Sequence, residues 1–157
     1  LYPMILERLL FDNFRQFKGR QELIFSTQEG QNVTIVHAEN GFGKTTILKG
    51  LLWVLYGRDG LMGNDGQADD FEKPDHLINE GAVAQTNDPN SLETVVELTF
   101  RHEGDRYVLR RSLTLAQQNL DAKKAEVSLV QIREGESFRL DNPQRRILSI
   151  VPDGISR

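Results

Sequence analysis

A glycine-bearing stretch between an apolar run and an apolar helical segment constrains the fold of this chain more than any other part of its sequence. It reads His37-Ala38-Glu39-Asn40-Gly41-Phe42-Gly43-Lys44-Thr45-Thr46. Gly41 and Gly43 lack a Cβ, so the backbone can turn tightly and direct several N–H groups at one anion. Lys44 can place an ammonium group between terminal phosphates, and the hydroxyl of Thr45 can ligate Mg²⁺. The stretch therefore predicts a phosphate-binding loop for a nucleoside triphosphate.

The segments on either side of this loop support the prediction. Residues 32–37 form a β-branched run of strand length, and leucine and isoleucine recur with helical spacing through residues 47–55. A helix that begins at the loop adds unpaired N–H groups and the positive end of its dipole. Ala38 departs from the usual pattern G-x-x-x-x-G-K-[ST], because it stands where the first glycine is expected. The alternative is an ordinary turn with Lys44 as a solvated lysine, but the order strand, loop, helix favours the phosphate loop.

The composition favours one globular domain. Of the 157 residues, 38% are hydrophobic, which is enough for a core, and the chain has no cysteine for disulfides or thiolate metal sites. No apolar stretch approaches the roughly 20 residues of a membrane span, so we expect a cytoplasmic protein with no membrane partner. We expect residues 4–157 to form the domain, with residues 1–3 as a cloning remnant ahead of Met4. Acidic side chains concentrate in residues 58–92, which predicts a mobile acidic insertion.

Further strands and helices are predicted around the loop. Strands at residues 4–11 and 21–25 precede it, and strands at 93–100, 106–113, 125–132 and 137–140 follow as antiparallel hairpins. Helices are expected over residues 44–56 and 143–150. Trp53 lies at helical spacing with other apolar residues, so core packing is favoured over stacking on a nucleotide base.

Three motifs together resemble the N-terminal half of the ATPase head of SMC-like proteins. They are Asn13-Phe14-Arg15, Ala38-Glu39-Asn40-Gly41-Phe42-Gly43-Lys44-Thr45-Thr46 and Leu51-Leu52-Trp53-Val54-Leu55-Tyr56-Gly57. That group includes the chromosome-maintenance SMC proteins, the ATPases of double-strand-break repair, RecF-like and RecN-like proteins, and DndD-type proteins of DNA phosphorothioation systems. The DndD-type branch is the most similar, because residues 98–111 resemble its paired strands and residues 147–157 resemble the stretch before its next motif.

The resemblance implies an α/β fold, a P-loop NTPase of the ABC type. Its head lobe has a mixed sheet and an antiparallel β layer packed around the P-loop helix. The implied ligands are ATP and Mg²⁺, and the residues that hold the phosphates are Asn40, Gly41, Phe42, Gly43, Lys44, Thr45 and Thr46. In these roles Lys44 is the catalytic cation and Thr45 the Mg²⁺ ligand, while Arg15 lies near the phosphates or the base. A plain surface arginine on a turn stays open as the alternative for Arg15.

In heads of this kind ATP lies between two heads, and its hydrolysis drives a separation that is coupled to DNA handling. The resemblance therefore implies three partners, which are the C-terminal half of the same head, a second head in a homodimer and, for the parent protein, DNA. The chain contains no Leu-Ser-Gly-Gly signature loop and no apolar run followed by Asp-Glu after the phosphate loop. We expect ATP hydrolysis by the full-length protein and binding without turnover by this chain. DNA modification, repair and phage defence remain open as pathways.

Two other functions stay open at this point. A stand-alone P-loop NTPase or nucleotide kinase would carry out its reaction without a second half, but its loop usually follows the first strand. A non-hydrolysing interaction domain with a decayed P-loop would account for Ala38.

Basic residues accompany the later strands, and they offer a candidate nucleic-acid surface. They are Arg101, Arg106, Arg110, Arg111, Lys123 and Lys124. Such residues can track a phosphate backbone when they share one face, but strand alternation sends Arg110 and Arg111 to opposite faces. Ordinary solvation of these side chains is therefore favoured.

Overall fold

The computed structural model describes residues 3–25, 42–62 and 76–151, and these contain one six-stranded antiparallel sheet. Its strands are β1 (Ile5–Asp12), β2 (Arg20–Ile24), β3 (Glu93–His102), β4 (Asp105–Thr114), β5 (Glu126–Arg133) and β6 (Glu136–Arg139), in the spatial order β2-β1-β3-β4-β5-β6. All six agree with the predicted strands to within two residues at each end. The strand predicted at 32–37 lies outside the described residues, so the mixed character of the sheet stays a prediction.

Four α-helices accompany the described strands. They are α1 (Phe42–Tyr56), α2 (Glu80–Gln85), α3 (Leu115–Asp121) and α4 (Pro143–Ile150), with a 3₁₀ helix at Gly57–Leu61 directly after α1. Helices α1 and α4 confirm the two predicted helices. The loop prediction for residues 58–92 is wrong at its two ends, because the 3₁₀ helix and α2 lie there. Helices α2 and α3 have only six and seven residues, too few to show a period in the sequence.

Helix α1 packs on the face of the sheet that strand alternation makes apolar. Along β3, Val96, Leu98 and Phe100 are fully buried, and Leu98 lies opposite Leu109 of β4. Phe100 lies opposite Tyr107, and their rings stack with centroids 5.2 Å apart. These side chains share one core with the buried residues of α1. An antiparallel β layer against the P-loop helix is therefore present, as the sequence predicts.

An aromatic cluster joins α1 to the loop that follows β1. Trp53 is 1% exposed and stacks on Phe14 with ring centroids 5.8 Å apart, which confirms its predicted place in the core. The Phe11 ring lies 5.7 Å from that of Phe14 and 5.2 Å from that of Phe17. A Cβ on Gly50 would lie 2.1 Å from Cε1 of Phe11. Helix α1 thus approaches β1 at a point where only glycine fits, and the ring it meets is held by two others.

The C-terminal end of α1 is closed by a buried arginine. Arg111 is 6% exposed and donates from Nε and Nη2 to the carbonyl of Val54, at 3.4 and 3.3 Å. Its Nη2 also donates to Oε1 of Gln144 in α4, and Nε2 of Gln144 donates to the carbonyl of Leu55 at 2.9 Å. A cation at this end of a helix interacts favourably with the helix dipole. Arg110, the next residue along β4, is exposed, so the two arginines do lie on opposite faces.

We expect Gly50→Ala to destabilise the fold by about 1–3 kcal/mol, because overpacking against Phe11 outweighs the roughly 1 kcal/mol that alanine contributes to a helix. Urea unfolding of both chains measures the difference. The penalty should shrink in a Phe11→Leu background, where the ring is absent. An equal penalty in both backgrounds would contradict the close approach of α1 and β1.

We expect Arg111→Met to lower the free energy of unfolding by about 1–3 kcal/mol, because the Val54 carbonyl and Gln144 lose their donor. Arg110→Met, the matched exposed control, should change it by less than about 0.5 kcal/mol. Burial lowers the pKa of Arg111 from its ordinary value to about 10. The pKa of Arg111 is lower in the folded chain than in the unfolded chain, so the unfolded chain binds more protons only above about pH 10. The free energy of unfolding therefore rises with pH through this group only above about pH 10. The effect of Arg111→Met should therefore be constant between about pH 6 and pH 9. A clear slope in that range would contradict this assignment.

Candidate nucleotide-binding site

The first turn of α1 presents two of the predicted site residues to solvent. Lys44 and Thr45 are exposed, whereas Thr46 is 1% exposed. No acidic residue lies in this turn, so nothing on the helix offsets the positive end of its dipole or competes for an incoming anion. Gly43 completes the described backbone of the turn. Asn40 and Gly41 lie outside the described residues, as does the side chain of Phe42, and their roles stay predictions.

The buried threonine ties this turn to the loop between β1 and β2. The Thr46 hydroxyl donates to Oε1 of Gln16, the residue after Arg15. The structure therefore brings the Arg15 loop beside the first turn of α1, although 30 positions separate Gln16 from Thr46 in the chain. Gln16 has no motif that would have identified it from the sequence.

Backbone hydrogen bonds fix the shape of the Arg15 loop. Asn13 and Arg15 both have left-handed backbone conformations, with φ of 50° and 51°. The side-chain oxygen of Asn13 accepts a hydrogen bond from the backbone N–H of Gly19 at 2.8 Å, which closes the loop on itself. Phe14 forms an antiparallel bridge with Ile78. The loop is thus held by its own asparagine and by the segment before α2.

Asn79 is the residue of that segment with the most contacts to the loop. Its backbone N–H donates to the carbonyl of Asn13 at 2.8 Å, and its side-chain Nδ2 donates to the carbonyl of Arg15 at 2.7 Å. Its Oδ1 accepts from the backbone N–H of Ala82 at 3.1 Å, which caps α2. Asn79 was not among the residues predicted from the sequence. An asparagine followed by Glu80 is a helix-start signal, but the helix that follows is too short to show a helical period in the sequence.

A cavity of about 790 Å³ lies beside the Arg15 loop. Its lining is Arg15, Gln16, His76, Ile78, Asn79, Glu80, Gly81, Val83, Leu115, Gln118 and Asn119. Gln118 also anchors one wall, because its Oε1 accepts from the backbone N–H groups of Leu77 and Ile78 at 2.9 and 3.1 Å. The cavity therefore combines the Arg15 cation, the Glu80 carboxylate and several amide groups, a set that suits a polar ligand.

The donor set of the first turn also fits a magnesium ion. Mg²⁺ keeps most of its water and takes one or two protein oxygens together with phosphate oxygens. The exposed hydroxyl of Thr45 is such an oxygen. Within residues 3–25, 42–62 and 76–151, no cluster of three or more histidine, aspartate or glutamate side chains is arranged to hold a metal.

The arginines of the sheet are paired with carboxylates rather than gathered into one basic patch. Nε of Arg106 lies 2.8 Å from a Glu7 oxygen, and Nε of Arg101 lies 3.6 Å from the other. Arg110 lies 3.7 Å from Glu93 and 3.9 Å from Glu97. The prediction of ordinary solvation is wrong for Arg111, which lies in the core. None of the helices in the described part of the chain is long and apolar enough to cross a bilayer.

Substitution of the two adjacent threonines should have different effects on the free energy of unfolding. Thr46→Val removes a buried hydroxyl that donates to Gln16, so we expect a loss of about 1 kcal/mol in the free energy of unfolding without nucleotide. Thr45→Val, one residue away and exposed, should change it by less than about 0.5 kcal/mol. Urea unfolding of the two variants gives the comparison. Equal losses for both would contradict the different burial of the two hydroxyls.

Comparison with known proteins agrees with this geometry. The chain is 33% identical over 116 residues to a DNA double-strand break repair Rad50 ATPase of Thermoplasma acidophilum, covering 74% of this chain and 10% of that protein. It is 25% identical over 103 residues to a DNA replication and repair protein RecF of Chlorobium phaeovibrioides, covering 66% of this chain and 25% of that protein. The chain thus spans about a tenth and a quarter of the two relatives.

Both relatives are of kinds that the sequence analysis grouped with SMC-like ATPase heads, so the predicted resemblance to the N-terminal part of such a head is supported. They do not bear on the DndD-type branch, which stays a prediction. The model of the AAA domain family matches residues 8–151, nearly the whole chain. The chain therefore belongs to the AAA domain family.

Proposed function

We propose that this chain binds Mg·ATP as the N-terminal lobe of an SMC-like ATPase head in a protein of DNA repair. The observation that carries the proposal is the first turn of α1, which exposes Lys44 and Thr45 and contains no acidic residue. The bond from Thr46 to Gln16 adds the Arg15 loop to the same place. Three groups that suit a nucleoside triphosphate thus come from two separate parts of the chain, Lys44 and Thr45 from α1 and Arg15 from the loop after β1.

Each of these groups has a distinct task at the phosphates. The Lys44 ammonium contacts the terminal phosphates, and the unpaired backbone N–H groups of the first turn of α1 bind the same anion. Thr45 supplies a hydroxyl oxygen to Mg²⁺, which when bound neutralises charge on the phosphate oxygens. Arg15 contributes a second cation with a planar set of donors, which suits a phosphate or the edge of a base.

The proposal separates binding from hydrolysis. Phosphoryl transfer depends on positioning and charge stabilisation around the terminal phosphate, including a group that orients the attacking water. In the heads that this chain resembles, those groups come from the C-terminal half and from a second head. We propose the same arrangement for the parent protein, with head dimerisation coupled to DNA processing. The Rad50 and RecF relatives favour repair; DNA modification of the phosphorothioation type and phage defence are the finer alternatives.

The test of binding is calorimetry with Mg·ATP on the chain and on Lys44→Ala. Loss of a charged hydrogen bond of about 1.5–3 kcal/mol should weaken binding by about 10- to 150-fold. Lys123→Ala, an exposed lysine after α3, is the matched control and should bind as the parent chain does. Equal heats for the parent chain and Lys44→Ala would contradict the proposal and favour an interaction domain with a decayed loop. Rapid turnover by residues 4–157 alone would favour a stand-alone NTPase.

The proposed role of Thr45 as a Mg²⁺ ligand can be tested separately, by comparing ATP binding with and without Mg²⁺. Thr45→Val should weaken binding of ATP in the presence of Mg²⁺ and leave the binding of metal-free ATP unchanged, because only the metal contact is lost. Titrations with and without a chelator measure both values. A similar loss in both titrations would indicate that the hydroxyl contacts a phosphate directly and would contradict its assignment as a metal ligand.

A further inference from the structure

We infer that Asn79 is a positioning residue for Arg15, and that it sets the direction of the Arg15 side chain, which lines the cavity beside the Arg15 loop. The inference rests on the proposed function for its effect on nucleotide binding. Its structural part, the control of the Arg15 backbone, stands on contacts of described residues alone.

The backbone of Arg15 adopts a conformation that it would not hold by itself. Its φ of 51° lies in the left-handed region, where a Cβ crowds the following carbonyl oxygen and costs about 1–2 kcal/mol. Such conformations persist where the surroundings determine them. Both backbone polar groups of Arg15 are held by one segment: its N–H donates to the carbonyl of Leu77 at 2.8 Å, and its carbonyl accepts from Nδ2 of Asn79 at 2.7 Å. That segment therefore fixes the direction of the Cα–Cβ bond.

Asn79 is itself held firmly enough to act as a fixed support. It is 8% exposed, and its Oδ1 caps α2 while its carbonyl accepts from the backbone N–H of Val83 at 3.0 Å. With Oδ1 committed to the cap, the Nδ2 donor points at Arg15. One amide thus joins the start of α2 to the Arg15 loop.

The position of Arg15 connects this amide to the candidate site. Arg15, Gln16 and Asn79 all line the cavity of about 790 Å³. Gln16 also accepts a hydrogen bond from the hydroxyl of Thr46 in α1. A series of direct contacts therefore runs from the start of α2 through Asn79 and the Arg15 loop to the first turn of α1. Loss of the Nδ2 donor should free the Arg15 backbone without removing any group that contacts nucleotide.

Two substitutions remove the donor and keep the cap. In Asn79→Asp an oxygen replaces Nδ2 at the same size, and in Asn79→Ser the side chain stays neutral; aspartate and serine cap helices about as well as asparagine. We expect each variant to fold. Each should weaken Mg·ATP binding by about 10-fold, which corresponds to the loss of one charge-assisted hydrogen bond. Arg15→Ala should weaken binding by a similar factor. In an Arg15→Ala background neither substitution should weaken binding further. Agreement between the two variants excludes charge or size as the cause, and Asn90→Asp and Asn90→Ser are exposed controls.

A second measurement does not require nucleotide. The backbone amide and Cα resonances of Arg15 in the nucleotide-free chain report its φ, and both Asn79 variants should shift them away from left-handed values while those of α2 stay in place. Unchanged Arg15 resonances would overturn the inference, as would parent-like ATP binding by the Asn79 variants when Arg15→Ala binds weakly. Additive losses in the double variants would also overturn it. Failure of the parent chain to bind Mg·ATP would instead contradict the proposed function, and the resonances would still decide the role of Asn79.

Discussion

The fit of α1 against the antiparallel sheet is the interaction on which the rest of the structure depends. Gly50 lets the helix approach Phe11 closely, and Trp53 fills the space beside it. Both ends of the helix are then fixed by side chains from other elements, Gln16 at the first turn and Arg111 at the last. Because the helix is held along its length and at both ends, the exposed groups of its first turn keep one direction relative to the sheet, which a preorganised anion site requires.

The two neighbouring arginines of β4 show how strand alternation divides charge between fold and surface. Arg110 lies among the carboxylates of Glu93 and Glu97, so its field is offset locally. Arg111 lies in the core, where burial lowers its pKa to about 10 and helix carbonyls take its hydrogen bonds. A run of basic residues that looks like a nucleic-acid surface in the sequence therefore serves mainly to pair with acids and to close a helix. Charge counts along a strand do not predict a binding face unless alternation is applied first.

Much of this fold follows from the sequence because its long elements carry clear periods. Buried and more exposed residues alternate along β4 and much of β3, and α1 repeats apolar residues at helical spacing, so these elements were predictable. Motif spacing alone suggests Lys44 and Thr45, the two exposed residues of the candidate site. It does not suggest Gln16 and Asn79, since their roles depend on partners 30 and 64 positions away, which no local pattern encodes. Helix α2 was not predicted for a different reason, because its six residues are too few to show a period.

Asn13 and Arg15, the two residues of the Arg15 loop with left-handed backbones, have different reasons for that conformation. Asn13 suits its conformation, because asparagine adopts it readily and its Oδ1 accepts the Gly19 N–H at 2.8 Å. Arg15 has no such local reason, and glycine or asparagine would take a φ of 51° at lower cost. Since the backbone there would be more stable with another residue, the arginine is best explained by its side chain, which lines the cavity beside this loop. The contacts from Leu77 and Asn79 then offset the cost of placing a long cation on a strained turn.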